Sequence, residues 1–246
     1  MRETWARIIF GLTAVLSLTG VTMSAFTAAG ATAEKVAAAG GAAADPATFA
    51  TAADRFLNTF VAFTIWSNII GSVVCIFLAI NPHRRSTVFR IFRLYGLISI
   101  TTTGLVYNFY LAGLAPEPQG WSAVANDLVH RVTPLLLVGA WLVFGPRIPF
   151  RMKYVWGCVA IGVAWVTFTL TRGAIINWYT YPFVDVGKLG YPVVLLTCVG
   201  ILAVAALMGM GIMGLDKKLP GLSAENSDTD SGSGPDNESK DKPAIP

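Results

Sequence analysis

The sequence predicts an all-α, polytopic membrane protein built as a bundle of six transmembrane helices. Two observations predict it. Of the 246 residues, 54% are hydrophobic and only 13% charged, a balance far from that of an average soluble domain. Six apolar stretches, near 8–29, 56–80, 91–114, 124–144, 154–171 and 190–214, also approach or exceed the length needed for spanning. A helix must have roughly 20 residues to cross about 30 Å of hydrocarbon. Helices satisfy their own backbone groups in lipid, and these stretches lack the alternation of barrel strands.

The first stretch follows Arg2 and Arg7. With small residues near Ala31-Thr32-Ala33 it can also be read as a cleaved signal peptide, but five further spans make an uncleaved anchor the simpler topology. Residues 1–7 then form a cytoplasmic N-terminus, and 8–214 the membrane domain. An external loop, 30–55, is expected to be loose with some helix, because its alanines favour helix while Gly40, Gly41 and Pro46 interrupt it.

Alternate loops are basic. Arg84, Arg85, Arg90 and Arg93 lie between the second and third spans, Arg147, Arg151 and Lys153 between the fourth and fifth, and Lys217 and Lys218 after the sixth. The opposite connections carry only Lys35, Arg55, Arg172 and Lys188, and the 115–123 loop has no Lys or Arg. The positive-inside rule places both termini in the cytoplasm of a multi-pass cell-membrane protein. The net charge of +4 thus reflects topology. It gives no support to nucleic-acid binding, which needs a basic face on a water-exposed domain.

From Gly221 onward the composition turns to Ser, Asp, Asn, Gly, Glu, Lys and Pro. Little there can be buried, so 215–246 is expected to be a disordered cytoplasmic tail. Cys75, Cys158 and Cys198 fall within spans and are expected to pack as small hydrophobes. No second intramembrane histidine accompanies His130, so neither a metal site nor a bis-histidine haem is expected, and no cofactor is assigned. No convincing internal repeat favours an inverted-repeat transporter.

The polar residues inside the spans carry the functional argument. Ionisable groups at such positions are costly and usually face a protein interior or a wet cavity. His130 is one, and it can act as a base near neutral pH. Asn126 and His130 are four residues apart, as are Asp127 and Arg131, and Asp127 lies three before His130. Such spacings let Asp127 or Asn126 orient the imidazole. They also fit an interfacial salt-bridge cluster in which His130 is merely satisfied. In the second span Thr64, Ser67, Asn68, Gly71 and Cys75 share one helix face. Small and hydroxylated residues line helix contacts anyway, but the Asn68 amide needs partners. Counted from their helix starts, Thr64 and His130 lie at similar depth, roughly 9–12 Å in. If the faces meet, a hydroxyl and an imidazole make a nucleophile–base pair.

Three stretches resemble a known family: Phe63-Thr64-Ile65-Trp66-Ser67-Asn68, Leu128-Val129-His130-Arg131-Val132-Thr133-Pro134, and Tyr181-Pro182-Phe183-Val184-Asp185 with Gly190-Tyr191. They are similar to the bacterial six-helix relatives of the androgen-induced membrane proteins, over most of 56–214. Animal members are threonine-dependent hydrolases of fatty acid esters of hydroxy fatty acids. The resemblance implies Thr64 as nucleophile and His130 as base, with membrane lipids or fatty acid esters as partners. Spacing adds Asn126 or Asp127 as orienting groups and Asn68 or Arg131 as support for an oxyanion. A non-enzymatic lipid-binding or transport protein, and a structural membrane protein, are the alternative readings. The external 172–189 connection is expected beside the mouth of the shared cavity.

Overall fold

The computed structural model describes residues 1–39, 45–114, 118–147, 149, 151–220 and 222. Among these all regular secondary structure is helical, in the order α1 (Arg2–Ala29), α2 (Ala33–Ala38), α3 (Ala52–Thr59), α4 (Phe63–Ile80), α5 (Thr87–Val106), α6 (Trp121–Asp127), α7 (Thr133–Phe144), α8 (Met152–Ile176) and α9 (Val186–Asp216). Two π-helical turns, Tyr107–Leu111 and Leu128–Val132, extend α5 and join α6 to α7.

Five helical runs are long and apolar enough to cross a membrane: α1, α4, the continuous Trp121–Phe144 run, α8 and α9. This is a multi-pass helical membrane protein. The remaining predicted span coincides with α5, whose hydropathy is lowered by Arg90, Arg93 and the run Thr101-Thr102-Thr103. Its polarity has a packing reason. Helix α5 lies among α4, α7, α8 and α9 and buries Arg93, Ser99 and Thr103, so little of it needs to match lipid.

Helix α1 packs on α3, α4, α6 and α7 through a face that includes Ala6, Phe10, Ala14, Ser17, Val21 and Ala25. Small residues let backbones approach, which drives helix association where lipid is as apolar as leucine. At Gly20 the approach is closest to the limit. A Cβ there would lie 2.8 Å from Leu128 Cβ and 2.9 Å from Val129 Cγ1.

The second predicted span, 56–80, is two helices. Helix α3 is amphipathic and starts with a capping box between Thr51 and Asp54; its polar Arg55 donates to the carbonyls of Ala29, Phe49 and Ala50. The chain then turns at 60–62 and restarts at Phe63. Indoles hold the turn, with Trp66 Nε1 donating to Phe60 O at 2.6 Å and Trp165 Nε1 to Val61 O at 3.3 Å. Thr64 therefore lies in the first turn of α4, shallower than a continuous helix would place it.

The 30–55 region is more ordered than the expected loose loop, where described. Thr32 caps α2, Asp45 caps a 3-10 turn at Pro46–Phe49, and Ala37, Phe49, Val61 and Trp178 form a small core. Asn177, left-handed with φ 51°, ends α8 and turns the chain into 177–185. Gly190, with φ 74°, breaks α9 one turn after its start.

Arg7 donates to the Ala79 and Ile80 carbonyls, Arg2 to Val143 O, and Leu222 N to Phe144 O. Both ends of the described chain therefore meet at one end of the bundle, the basic end. Cys75, Cys158 and Cys198 are free and buried. The predicted tail from Gly221 onward lies, apart from Leu222, outside the described residues, as do Gly40 and Gly41.

Candidate functional site

The site lies at the opposite end, where α4, the two π turns and the 177–185 connection converge. Pro134 shapes it. Proline has no N–H to give the carbonyl four residues earlier, here that of His130. The backbone widens, so that Thr133 N reaches back five residues to Leu128 O. The released His130 carbonyl accepts instead from Asn108 Nδ2 of the other π turn, at 3.3 Å. Such π turns within α-helices recur at functional sites.

His130 and Thr64 meet. Thr64 Oγ1 lies 3.3 Å from His130 Nε2. On the other side of the ring, His130 Nδ1 lies 3.1 Å from the Asn126 carbonyl. A carbonyl only accepts, so Nδ1 carries the proton in the neutral ring and Nε2 offers its lone pair to the Thr64 hydroxyl. The Tyr107 ring stacks on the imidazole, centroids 3.9 Å apart and planes 19° apart, and its hydroxyl accepts from Asn126 Nδ2. Asn126 thus holds His130 twice, directly through its main chain and indirectly through Tyr107.

Helix α4 starts at Ala62 without a side-chain cap of its own. The orphan N–H of Thr64 donates to the Tyr181 hydroxyl at 3.3 Å, and that hydroxyl also lies 3.4 Å from Thr64 Oγ1. Burial pushes the Tyr181 phenol up, opposed by its hydrogen bonds to Thr64 and Phe63. It is protonated at neutral pH and has a proton to give. The hydroxyls then run in one direction, from Tyr181 O–H to Thr64 Oγ1–H to His130 Nε2.

Asn68 has a different position from the one its spacing suggested. Its amide N–H groups go to Thr64 O at 2.8 Å and Val129 O at 3.1 Å, while Ser17 Oγ donates to its Oδ1 at 2.9 Å. One donor is spent within α4 and the other on the π turn, while the oxygen fastens α4 to α1, so Asn68 offers no donor to an oxyanion. Asp127 pairs with Arg131, and Arg131 Nε donates to Asn108 Oδ1 at 3.1 Å. Neither reaches Thr64, and the imidazole is oriented by the Asn126 carbonyl rather than by the Asp127 carboxylate. Among the described residues, no three of His, Cys, Asp and Glu converge to hold a metal.

Two cavities flank the pair. A polar one of about 570 Å³ is lined by Lys35, Arg55, Ser122, Asn126, His130 and Trp178, among others. An apolar one of about 120 Å³ runs inward past Tyr95, Ile98, Val159, Ile201 and Ala205. Among the described residues, Thr64 and Tyr181 alone line both. Ser17, Tyr107 and Asn108 had escaped sequence reasoning. Ser17 is one small residue in a stripe of them, and Tyr107-Asn108 carries no charge or motif to mark it.

No protein-family model matches the chain, and no curated protein or solved structure is significantly similar to it.

Proposed function

We propose that the protein is an intramembrane lipid-ester hydrolase with Thr64 as nucleophile and His130 as general base. One observation carries this reading: a proton-accepting imidazole nitrogen faces a threonine hydroxyl at the boundary between a polar and an apolar cavity. An ester seated there puts its acyl chain in the apolar space and its alcohol side in the polar one. Thr64 Oγ1 attacks the carbonyl carbon while His130 Nε2 takes the hydroxyl proton. The carbon–oxygen bond to the alcohol breaks, and His130 returns that proton to the departing oxygen. Water then adds to the acyl-threonine, gives its proton to His130, and releases fatty acid and free Thr64. The Thr64 N–H and the Tyr181 O–H, joined by long bonds in the resting site, turn to the carbonyl oxygen as its charge develops.

The short motifs at 63–68, 128–134 and 181–191 support membership among the bacterial relatives of the androgen-induced membrane proteins. The gathering of Arg2, Arg7, Arg84, Arg147, Lys217 and Lys218 near one end supports six spans, α5 included, with both termini cytoplasmic in the cell membrane. The polar cavity then opens toward the outer leaflet.

The test is release of fatty acid from long-chain esters by the protein in nanodiscs. Turnover is expected, with Thr64→Ala at background and His130→Ala lower by about 10²–10⁴-fold. Full activity in both folded variants rejects the reading. Saturable binding of the ester without turnover favours a lipid-binding protein, for which the same two cavities suffice.

A further inference from the structure

A second feature lies far from Thr64, on the outside of the α4–α5 hairpin. Ile69, Val73 and Phe77 of α4 face Val88, Phe89 and Phe92 of α5 across a cleft of about 450 Å³. Val73, Phe77, Val88 and Phe92 are all exposed, so the cleft is a groove on the membrane-facing surface, unlike the closed core behind it. Along α4 it runs from Ile69 to Phe77, about 12 Å at 1.5 Å per residue. That is most of the depth of one leaflet of a bilayer with about 30 Å of hydrocarbon.

The groove is apolar along its length and cationic at one end only. Arg84 and Ser86, in the 81–86 link between the helices, close it. The Arg84 guanidinium lies 4.5 Å from the Phe77 ring centroid and 5.7 Å from that of Phe89, held in the groove mouth by cation–π attraction. Neither the Arg84 nor the Arg85 side chain has a hydrogen bond or ion pair among the described residues. The acid on neighbouring α1, Glu3, is engaged by Arg7 and His83. At the mouth of the groove Arg84 and Arg85 thus meet no carboxylate but Glu3, while Arg90 turns to Tyr154 OH and Arg93 is buried toward Asp216. A planar guanidinium with free N–H groups and an aromatic seat is an arrangement that suits phosphate.

We propose that this groove binds one anionic phospholipid, its acyl chain along Val73, Phe77 and Phe92 and its phosphate on Arg84, with Arg85 beside it. An amphiphile fits both halves of the feature, the apolar length and the charged end. A headgroup bearing its own ammonium is disfavoured, because that cation would meet more arginines and no unengaged acid. The site is independent of ester hydrolysis and stands or falls separately.

The experiment is native mass spectrometry of the full chain released from micelles containing equal amounts of phosphatidylglycerol and phosphatidylcholine. The wild-type protein is expected to retain one phosphatidylglycerol in preference. Arg84→Gln with Arg85→Gln is expected to lower that preference by about tenfold or more. Phe77→Ala is expected to reduce retention of both lipids. The control pair Arg151→Gln with Lys153→Gln removes equal charge elsewhere and is expected to leave the preference intact. Equal retention of the two lipids by the wild type overturns the proposal. So does an unchanged preference in the Arg84/Arg85 variant, an equal loss in the control pair, or a protein dimer that excludes lipid from the groove.

Discussion

The Tyr107 and His130 rings stack 3.9 Å apart, and each belongs to a π-helical turn. The two turns brace one another, since Asn108 Nδ2 of one donates to the His130 carbonyl of the other, which Pro134 has no N–H to satisfy. Their joint effect is to aim one ring nitrogen at Thr64 while the other is tied to the Asn126 main chain. A nucleophile–base pair works only if the base is held in one tautomer and orientation.

Tyr181→Phe keeps the ring and removes the hydroxyl that bonds Thr64. Ester hydrolysis is expected to fall about 10²-fold, in kcat rather than KM, as for loss of one donor to a developing oxyanion. Because burial raises the phenol's pKa, its protonated form persists above the ordinary phenol value of about 10. The wild-type rate is therefore expected to show no loss from Tyr181 ionisation below that pH. A pH–rate profile of both proteins checks this; an alkaline limb near pH 8 that vanishes in Tyr181→Phe contradicts it.

Asn68→Ala removes the amide bonds to the Thr64 and Val129 carbonyls and leaves the Ser17 hydroxyl only its longer bond to the residue 68 main-chain carbonyl. Unsatisfied buried groups cost about 1–3 kcal/mol each, and relaxation recovers part of that, so a loss on the order of 3 kcal/mol is expected. Thermal unfolding in detergent reads it. Unchanged stability shows that the amide is not a fastener.

Gly20→Ala places a methyl 2.8 Å from Leu128 Cβ. Neither atom is the end of a flexible chain, so α1 or the π turn must shift, at an overpacking cost of about 1–3 kcal/mol. Because the turn carries His130, hydrolysis is expected to fall as well. A variant as stable and as active as the wild type refutes the close contact.

Much of the bundle was legible because lipid imposes simple demands on length and polarity. The face Thr64, Ser67, Asn68, Gly71 and Cys75 is buried as its spacing predicted. The break at 60–62 was not legible. Residues 56–80 are apolar throughout, and the turn depends on indoles from Trp66 and distant Trp165. Thr64 and His130 were found because a titratable group in a span is conspicuous. Tyr181 stands in a family-like stretch, but nothing local in the sequence shows that it supplies the cap missing from α4.

A reporter fused after Lys218 is expected to be active in the cytoplasm, and one inserted near Thr48 to be accessible from outside. Basic residues at the end where the described termini meet motivate this expectation. An accessible C-terminal reporter reverses the orientation or changes the number of spans.

The polarity of α5 bears on how the protein is made. An insertion machinery that partitions segments by hydrophobicity disfavours arginine within a span, and α5 brings Arg93, buried at 4% exposure in its second turn. Helix α4 precedes it, joined by the 81–86 link, and is strongly apolar. The pair, packed together, is expected to enter as a hairpin, with α5 carried by its neighbour. Arg90 finds Tyr154 OH of α8 at 3.1 Å, a partner synthesised only later. Until α8 is made, Arg90 therefore lacks that hydrogen-bond partner, and a chain cut short before α8 is expected to hold α5 in the membrane less securely.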